Sequence, residues 1–518
     1  MDALIAELLD PGAYPHPVDE VQRVETHIST VLLAGDFAYK IKKPVSLGFL
    51  DFSTLEARRH FCFEELRINR RFAPRLYLDV VAIARGADGR LRMAGEGELV
   101  EVALRMRRFP AGELLAEHVA REDLSAAAWR TLGRDIAALH ETLPRAPCDD
   151  HEGHGLPAHL RDAVAENFRQ VRPYLRELAD LTALNAVEDA AWLRWRQLET
   201  LLQRRYEVGD VRECHGDLHL GNLVMIDGRA VPFDAIEFNA RLRWIDRMSE
   251  IAFLLMDCEA RGRRGGGLIA LNAWLEASGD YAGLTLLDFF RCYRAMVRAK
   301  VALLATRPPA EAEGKPLVDY RRYAVLAASA LAGRPRFLAI TCGVSGSGKS
   351  TVAEALAAGL EAIRLRSDVE RKRLFGLPPE ADTRAPGMPD IYGPEAGERT
   401  FVRLGELAEA VIRAGYPVIV DATFMHRPLR DRFRALAATL GVPFHVLLCR
   451  ADPEELRRRV ASRQGDASEA GLAVLESQLA AWQPPDASRE EGVIEVSDRE
   501  PEALAALLVP GAAHHAGG

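Results

Sequence analysis

The spacing of apolar positions changes character along the chain. "MDALIAELLDPG" places them at helical intervals and predicts a short amphipathic helix that ends at Asp10-Pro11-Gly12. "VLLAGDFAYKIKK" holds two short extended runs around Ala34-Gly35-Asp36, which predicts a hairpin. "DFSTLEARRHFCFEELRINRRFAP" then returns to helical spacing. Ser53 with Glu56 predicts a capping box, and Pro74 a stop. Within this helix Glu65 shares a face with Phe61, Ile68 and Phe72 and points inward, whereas Glu64 shares its face with His60, Arg67 and Arg71. "GADGRLRM" predicts another hairpin turn, and beyond "RMRRFPAGELL" the pattern is mainly helical to about Leu331.

"LAGRPRF", Leu331 to Phe337, marks a boundary. After it comes "FLAITCGVSGSGKST", a buried-type strand, a Gly-rich loop and the start of a helix. "PVIVDAT", "FHVLLC" and "GVIEVS" are short apolar runs between helical patterns, the signature of a parallel α/β sheet. The expected architecture is therefore two domains. Residues 1–331 form an α+β domain with a small mixed lobe at about 21–105 and a helical lobe at about 110–331. Residues 335–509 form an α/β domain, and 510–518, "PGAAHHAGG", a disordered tail. The halves differ in pattern, and no internal repeat is visible.

Composition narrows the setting. Of 518 residues 48% are hydrophobic and 27% charged, with a net charge of -8, which argues against bulk affinity for nucleic acid or acidic membranes. The seven dispersed cysteines make no metal-ligand spacing and suit a reducing compartment. The N-terminus lacks a basic start, and no run reaches the ~20 apolar residues of a membrane helix, so a cytoplasmic location is expected.

Two stretches carry chemistry. "GVSGSGKS" satisfies G-x-x-x-x-G-K-[ST] after a strand and before a helix. Gly343, Gly346 and Gly348 let the backbone curl so that its amides face phosphate oxygens. Ser345, Ser347 and Thr351 belong to the same nucleotide-binding loop, Lys349 brings a point charge, and Ser350 suits Mg²⁺. Asp421, ending "VIVD", is the metal-side acid. Ala422 follows it, where a motor ATPase normally needs a water-activating carboxylate. In "RLRSDVERKRLFG", Asp368 is placed to accept a substrate hydroxyl proton or to cap the helix, and Arg366 or Arg371 to hold an anionic group. Arg459 and Arg463, four apart in "EELRRRVASRQGD", form either a solvated surface or a lid that neutralises a transferring phosphoryl group. Residues from about Phe337 to Ser497 resemble the small P-loop kinases: zeta-toxin-like proteins, gluconate-kinase-like enzymes and the kinase domain of polynucleotide kinases.

The second stretch is "CHGDLHLGNLVMIDGRAVPFDAIEF". Asp217 and Asn222 have the H-x-D…N spacing of a kinase catalytic loop, base then metal ligand, and Asp234 follows a short hairpin as a second metal ligand. His215 is expected to brace the loop, since Gly216 and the coming turn disfavour a helical zinc pair with His219. Such a site needs a strand lysine paired to a helix glutamate. Lys40 with Glu65 fits, and Lys42, on the same strand face, is an open alternative. These residues resemble the aminoglycoside phosphotransferase and choline kinase branch of the protein-kinase-like fold over about Val21 to Leu331, although the chain has no G-x-G-x-x-G loop near its N-terminus. The resemblance implies a bilobal fold, phosphate cover from "HISTVLLAGD" or elsewhere, and an adenine site around Met106 to Phe109.

Taken whole, the chain resembles a bacterial family described as bifunctional aminoglycoside phosphotransferase/ATP-binding proteins. That implies ATP and Mg²⁺ in each half and phosphoryl transfer to the hydroxyl of a small molecule. Two alternatives stand beside it. The C-terminal half could be a polynucleotide 5′-hydroxyl kinase, with "RGRRGGG" at Arg261 to Gly267 as a strand-binding loop rather than a solvated one, or one half could sense ATP and regulate the other.

Overall fold

The computed structural model describes residues 1–46, 50–147, 153–304, 313–383, 388, 391–462, 470–496 and 499–509. The proposed tail 510–518 and the lid arginine Arg463 lie outside these residues. The chain forms two compact units. One comprises Met1–Asp123, Thr142–Arg169 and Glu199–Asp257, the other Leu124–Glu141, Gln170–Leu198 and Cys258–Gly518.

The first unit contains a six-stranded antiparallel sheet. Its strands are β1 (Val21–Glu25), β2 (Ser29–Ala34), β3 (Phe37–Lys42), β4 (Tyr77–Arg85), β5 (Leu91–Met93) and β6 (Glu98–Arg107), in the order β1-β2-β3-β6-β4-β5. Ala34 pairs with Phe37, so Gly35 and Asp36 alone make the turn between β2 and β3, with Gly35 at φ 55. Strand alternation sorts the β3 side chains. Tyr39 and Ile41 enter a core with Leu32, Ile83 and the N-terminal residues Ile5 and Leu8. Ala38 faces the opposite way, against Leu66 of the helix Leu55–Phe72. Lys40 and Lys42 share that second face.

The helix Leu55–Phe72 is capped by Thr54, whose hydroxyl accepts from Ala57 N at 3.1 Å, and not by Ser53 as the S-x-x-E pattern suggested. The amide of Ser53 is already taken by Asp51 Oδ1 at 2.9 Å, which starts the helix one residue later. Later in this unit β7 (Val211–Glu213) pairs with β10 (Trp244–Asp246). Between them β8 (Leu223–Ile226) and β9 (Arg229–Pro232) form a hairpin turned by Asp227 and Gly228, at φ 50 and 74.

The second unit holds a parallel sheet of β11 (Leu338–Cys342), β12 (Ile363–Arg366), β13 (Val418–Asp421), β14 (Phe444–Leu448) and β15 (Val493–Glu495). Their order is β12-β13-β11-β14-β15, and every residue of β11 is buried, as expected of a central parallel strand covered on both faces. "RGRRGGG" is a loop only over its first three residues, Arg261 to Arg263. Arg264 opens the helix Arg264–Ser278, and Gly266 and Gly267 are buried; a Cβ on Gly266 would sit 2.2 Å from Trp129 Cε2, so close packing explains the glycine. Among the described residues no helix is long and apolar enough to cross a membrane, and the six described cysteines are buried.

Candidate active sites

In the first unit, β7 leads into the loop that carries Asp217. Glu213, at the strand end, is clamped by Arg67, Arg71 and Arg243. Gly216 follows at φ 85, where a Cβ would lie 2.7 Å from Leu242 O, so the turn needs glycine. His215 is fully buried. Its Nδ1 accepts from Asp217 N at 3.4 Å, and its Nε2 lies 2.8 Å from Phe233 O, which fixes a neutral tautomer; burial also lowers its pKa. His215 therefore ties the Asp217 loop to the segment that precedes Asp234. The Nδ2 of Asn222 donates to Asp217 O and to Asp217 Oδ2, both at 3.0 Å.

Asp234 takes a left-handed conformation, φ 62, and its amide donates to the Tyr77 hydroxyl at 2.9 Å. Lys40 Nζ donates to Asp234 Oδ1 and, at 2.7 Å, to Glu65 Oε1. Lys42 Nζ donates to the other oxygen of Glu65 at 2.6 Å and to Glu237 Oε1. One glutamate is thus divided between two lysines. Burial opposes ionisation of Glu65, yet the two ammonium groups hold its carboxyl down at about 2. Burial likewise works against the Lys40 charge, but the carboxylates of Asp234, Glu65 and Glu237 raise its pKa well above the ordinary value. For Glu237 burial prevails over the attraction of Lys42, and its pKa is raised. Between the two candidate lysines the geometry differs. Lys40 reaches Asp234, while the Lys42 side chain is 0% exposed, pairs with Glu65 and Glu237 and lies over the Phe52 ring.

Several residues of this site were not singled out in the sequence. Glu250 accepts from His215 N and Gly216 N at 3.2 and 2.7 Å, and Asp257 accepts from Leu220 N at 3.0 Å. Both are buried acids on the largely apolar helix Arg247–Ala260. An acid at each end of "EIAFLLMD" was the available signal, since such groups are buried only when something binds them. At the expected adenine region Met106 is buried in a cluster with Val224 and the ring of Phe109 lies 5.5 Å from that of Phe233, while Arg107 and Arg108 between them are exposed.

In the second unit the Gly-rich loop lines a cavity of about 1210 Å³. Gly348 stands at φ 89 immediately before the helix Lys349–Leu360. A Cβ on Gly343 would lie 2.4 Å from Cys449 O and 2.7 Å from Ser347 Oγ, so only glycine closes the loop. Lys349 Nζ donates to Val344 O at 2.7 Å across the loop, and Gln478 Oε1 accepts from Ser345 N at 2.7 Å, a contact no sequence pattern announced. Ser345, Ser347, Ser350, Thr351, Asp368, Arg371, Asp421 and Arg459 all line the same cavity. Asp368 is the second residue of the helix Ser367–Leu374, whose cap is Arg366, so Asp368 is no cap; its Oδ1 lies 3.1 Å from Arg371 Nη1. Arg371 lies over the ring of Tyr392, 5.0 Å from its centroid. Arg459 Nη1 donates to Gly346 O at 3.4 Å.

The donor sets fit the groups expected of such sites. In the cavity Ser347 Oγ and Asp421 Oδ2 are buried without a hydrogen bond among the described residues, at a loop whose amides and lysine suit phosphate. Around Asp217 the candidate ligands Asn222 and Asp234 offer oxygen donors, which suit a hard cation such as Mg²⁺.

Residues 56–287 match the phosphotransferase enzyme family model and residues 338–485 an AAA domain model. The chain is 30% identical over 479 residues to uncharacterised proteins of Mycobacterium tuberculosis and Mycobacterium bovis, covering 90% of this chain and 92% of each relative. Similar solved structures include a sugar kinase from Janibacter sp., unliganded (25% identity, 35% of this chain, 100% of that chain, TM-score 0.27). Others are an amicoumacin kinase solved with AMP-PNP (16%, 63% and 92%, 0.40) and a choline kinase from Cryptosporidium parvum (9%, 64% and 95%, 0.43). The N-terminal domain is a kinase by its family match. The chain belongs to the same family as the mycobacterial proteins, a two-domain kinase fusion that joins a phosphotransferase domain to a P-loop domain of the AAA type.

Proposed function

We propose that the protein is a cytoplasmic bifunctional phosphotransferase, each half moving the γ-phosphoryl group of ATP to a hydroxyl of a small molecule. The observation that carries this is the convergence of Asp217, Asn222, Asp234, Lys40 and Glu65 in one unit, with a complete phosphate-binding loop lining a cavity in the other. ATP with Mg²⁺ supplies the phosphoryl group and the positive charge that offsets its developing negative charge.

In the first unit Asp217 takes the proton of the acceptor hydroxyl as that oxygen bonds to phosphorus and the bond to the β-phosphate oxygen breaks. Asn222 fixes the Asp217 carboxylate through its amide and, with Asp234, holds the cation. Lys40, oriented by Glu65, positions phosphate. In the second unit the loop amides and Lys349 bind the phosphates, Ser350 and Asp421 hold the cation, Asp368 is the base, Arg371 holds the acceptor, and Arg459 neutralises the transferring group. Both transfers depend mainly on positioning and charge stabilisation. A small-molecule acceptor is favoured over a nucleic-acid end by the net charge of -8, which gives no bulk attraction for a polyanion.

The test is a metabolite-extract screen for ATP-dependent mass gain of one or two phosphates. Asp217→Asn should slow transfer by the first unit by ~10²–10⁴-fold, and Lys349→Ala should abolish the second. If either variant leaves every mass gain untouched, that half is regulatory.

A further inference from the structure

The helix Leu55–Phe72 does more in the first unit than present Glu65 to Lys40. One turn after Glu65, the buried Asn69 reaches the segment that carries Asp234. Its Oδ1 accepts from Ala235 N at 2.8 Å, and its Nδ2 lies 3.5 Å from Ala235 O. The same Nδ2 donates to Glu65 O at 3.0 Å, which fixes the amide with its oxygen toward Ala235. The peptide on the other side of Asp234 is held at both of its ends. Asp234 N donates to the hydroxyl of the buried Tyr77 at 2.9 Å, and Phe233 O lies 2.8 Å from His215 Nε2. Further out, Phe233 N donates to Asn222 O and Ile236 N to His215 O, both at 3.0 Å. The Asp234 side chain is itself 43% exposed and is met by Lys40.

We infer that Asn69 is a positioning residue for the cation site of the first unit. It holds the peptide after Asp234, while Tyr77 and His215 hold the peptide before it, and so keeps the Asp234 carboxylate aimed at the cation. The inference rests on the reading of Asp234 as a cation ligand. The two peptide planes that flank a Cα set the direction of its Cα–Cβ bond. At φ 62 Asp234 stands where a residue with a Cβ is disfavoured, and such a conformation persists only where the surroundings enforce it. On the Ala235 side the Asn69 oxygen supplies that enforcement. Asn69→Leu keeps an uncharged, branched side chain but removes the acceptor. A buried amide that loses its acceptor is costly, so the Ala235 peptide would rotate toward another and swing Asp234 with it. One helix thus sets the phosphate lysine through Glu65 and the cation ligand through Asn69.

The experiment uses the full-length protein with Lys349→Ala, which disables nucleotide binding by the second unit. It measures Mn²⁺ binding with ADP by electron paramagnetic resonance, and metal-free binding of fluorescent ADP in the presence of EDTA. Asn69→Leu should weaken Mn²⁺ binding ~10–100-fold, the usual effect of losing a group that supports a metal ligand, and leave the metal-free ADP affinity at the parent value. Tyr77→Phe leaves His215 in place and should weaken Mn²⁺ binding by a smaller factor. A purely structural role would lower ADP affinity with and without the metal alike. Parent Mn²⁺ affinity in either variant, or a loss of metal-free ADP binding as large as the loss of Mn²⁺ binding, would each overturn the inference. Should Asn69→Leu fail to fold, Tyr77→Phe decides. If the Lys349→Ala protein itself binds no Mn²⁺ with ADP, the reading of the first unit as a metal-nucleotide site falls and the inference with it. If it binds and both variants match it, only the inference falls.

Discussion

Two lysines on alternate positions of β3 divide the work around Glu65. Lys42 is sealed between Glu65 and Glu237, so replacing it by Met leaves two buried carboxylates short of their cation. Loss of one partner from a buried pair costs about 3–5 kcal/mol, and thermal denaturation of Lys42→Met should show a correspondingly large fall in Tm. Lys40→Met should cost less stability, because its Asp234 partner is partly exposed, while reducing phosphoryl transfer by the first unit. Acid should act through the same acids. Burial opposes ionisation of Glu65 and Glu213, but Lys40 and Lys42 around one, and Arg67, Arg71 and Arg243 around the other, hold both carboxyls at about 2. A depressed folded pKa gives stability that is complete above the unfolded value of ~4.3 and is lost as protons return. Urea midpoints should therefore hold steady at mild pH and drop between ~4.3 and about 2. Glu65 was legible as an inward-facing residue from its helical neighbours. Its second lysine partner was only an alternative, because strand alternation puts Lys40 and Lys42 on the same face and cannot rank them.

Elements with strong local signals were the easiest to foresee. The Gly35 turn, the hairpin before Asp234 and the four apolar runs of the parallel sheet all stand where their patterns put them. Local competition accounts for the misses. Ser53 lost its capping role to Thr54, and the last four residues of "RGRRGGG" entered a helix, with Gly266 packed against Trp129. Glu250, Asp257 and Gln478 support the two loops from far along the chain, and a single sequence carries no record of such distant pairings. The glycine loop allows a sharp prediction at this scale. Gly343→Ala should disrupt the loop, since its Cβ would strike Cys449 O, a backbone atom on the neighbouring strand end. Fluorescent-nucleotide binding to the second unit should be lost, with thermal stability reduced by about 1–3 kcal/mol.

In the molecule as a whole, sequence boundaries and packing divide the chain differently. The boundary at Leu331 separates two motifs, yet the helix Arg264–Ser278 lies in the same compact unit as the parallel sheet and covers its β12 edge. An exposed strand edge invites association. A fragment of residues 335–509 should therefore self-associate in size-exclusion chromatography with light scattering, whereas one beginning at residue 258 should associate less. The Asn272 side chain is the reason. Its oxygen and one of its two N–H groups stand in for a neighbouring peptide group, meeting Arg364 N and Ala362 O as another strand would, while Nδ2 also donates to Leu268 O. That amide lies inside the stretch matched by the phosphotransferase model, residues 56–287, while the strand it completes lies beyond it. A gene split between the two motifs would leave the P-loop product without the helix that covers its sheet edge. Inheritance as one reading frame is then the arrangement that always delivers strand and helix together, and descendants that separate the two domains should carry a replacement for this helix in the P-loop partner.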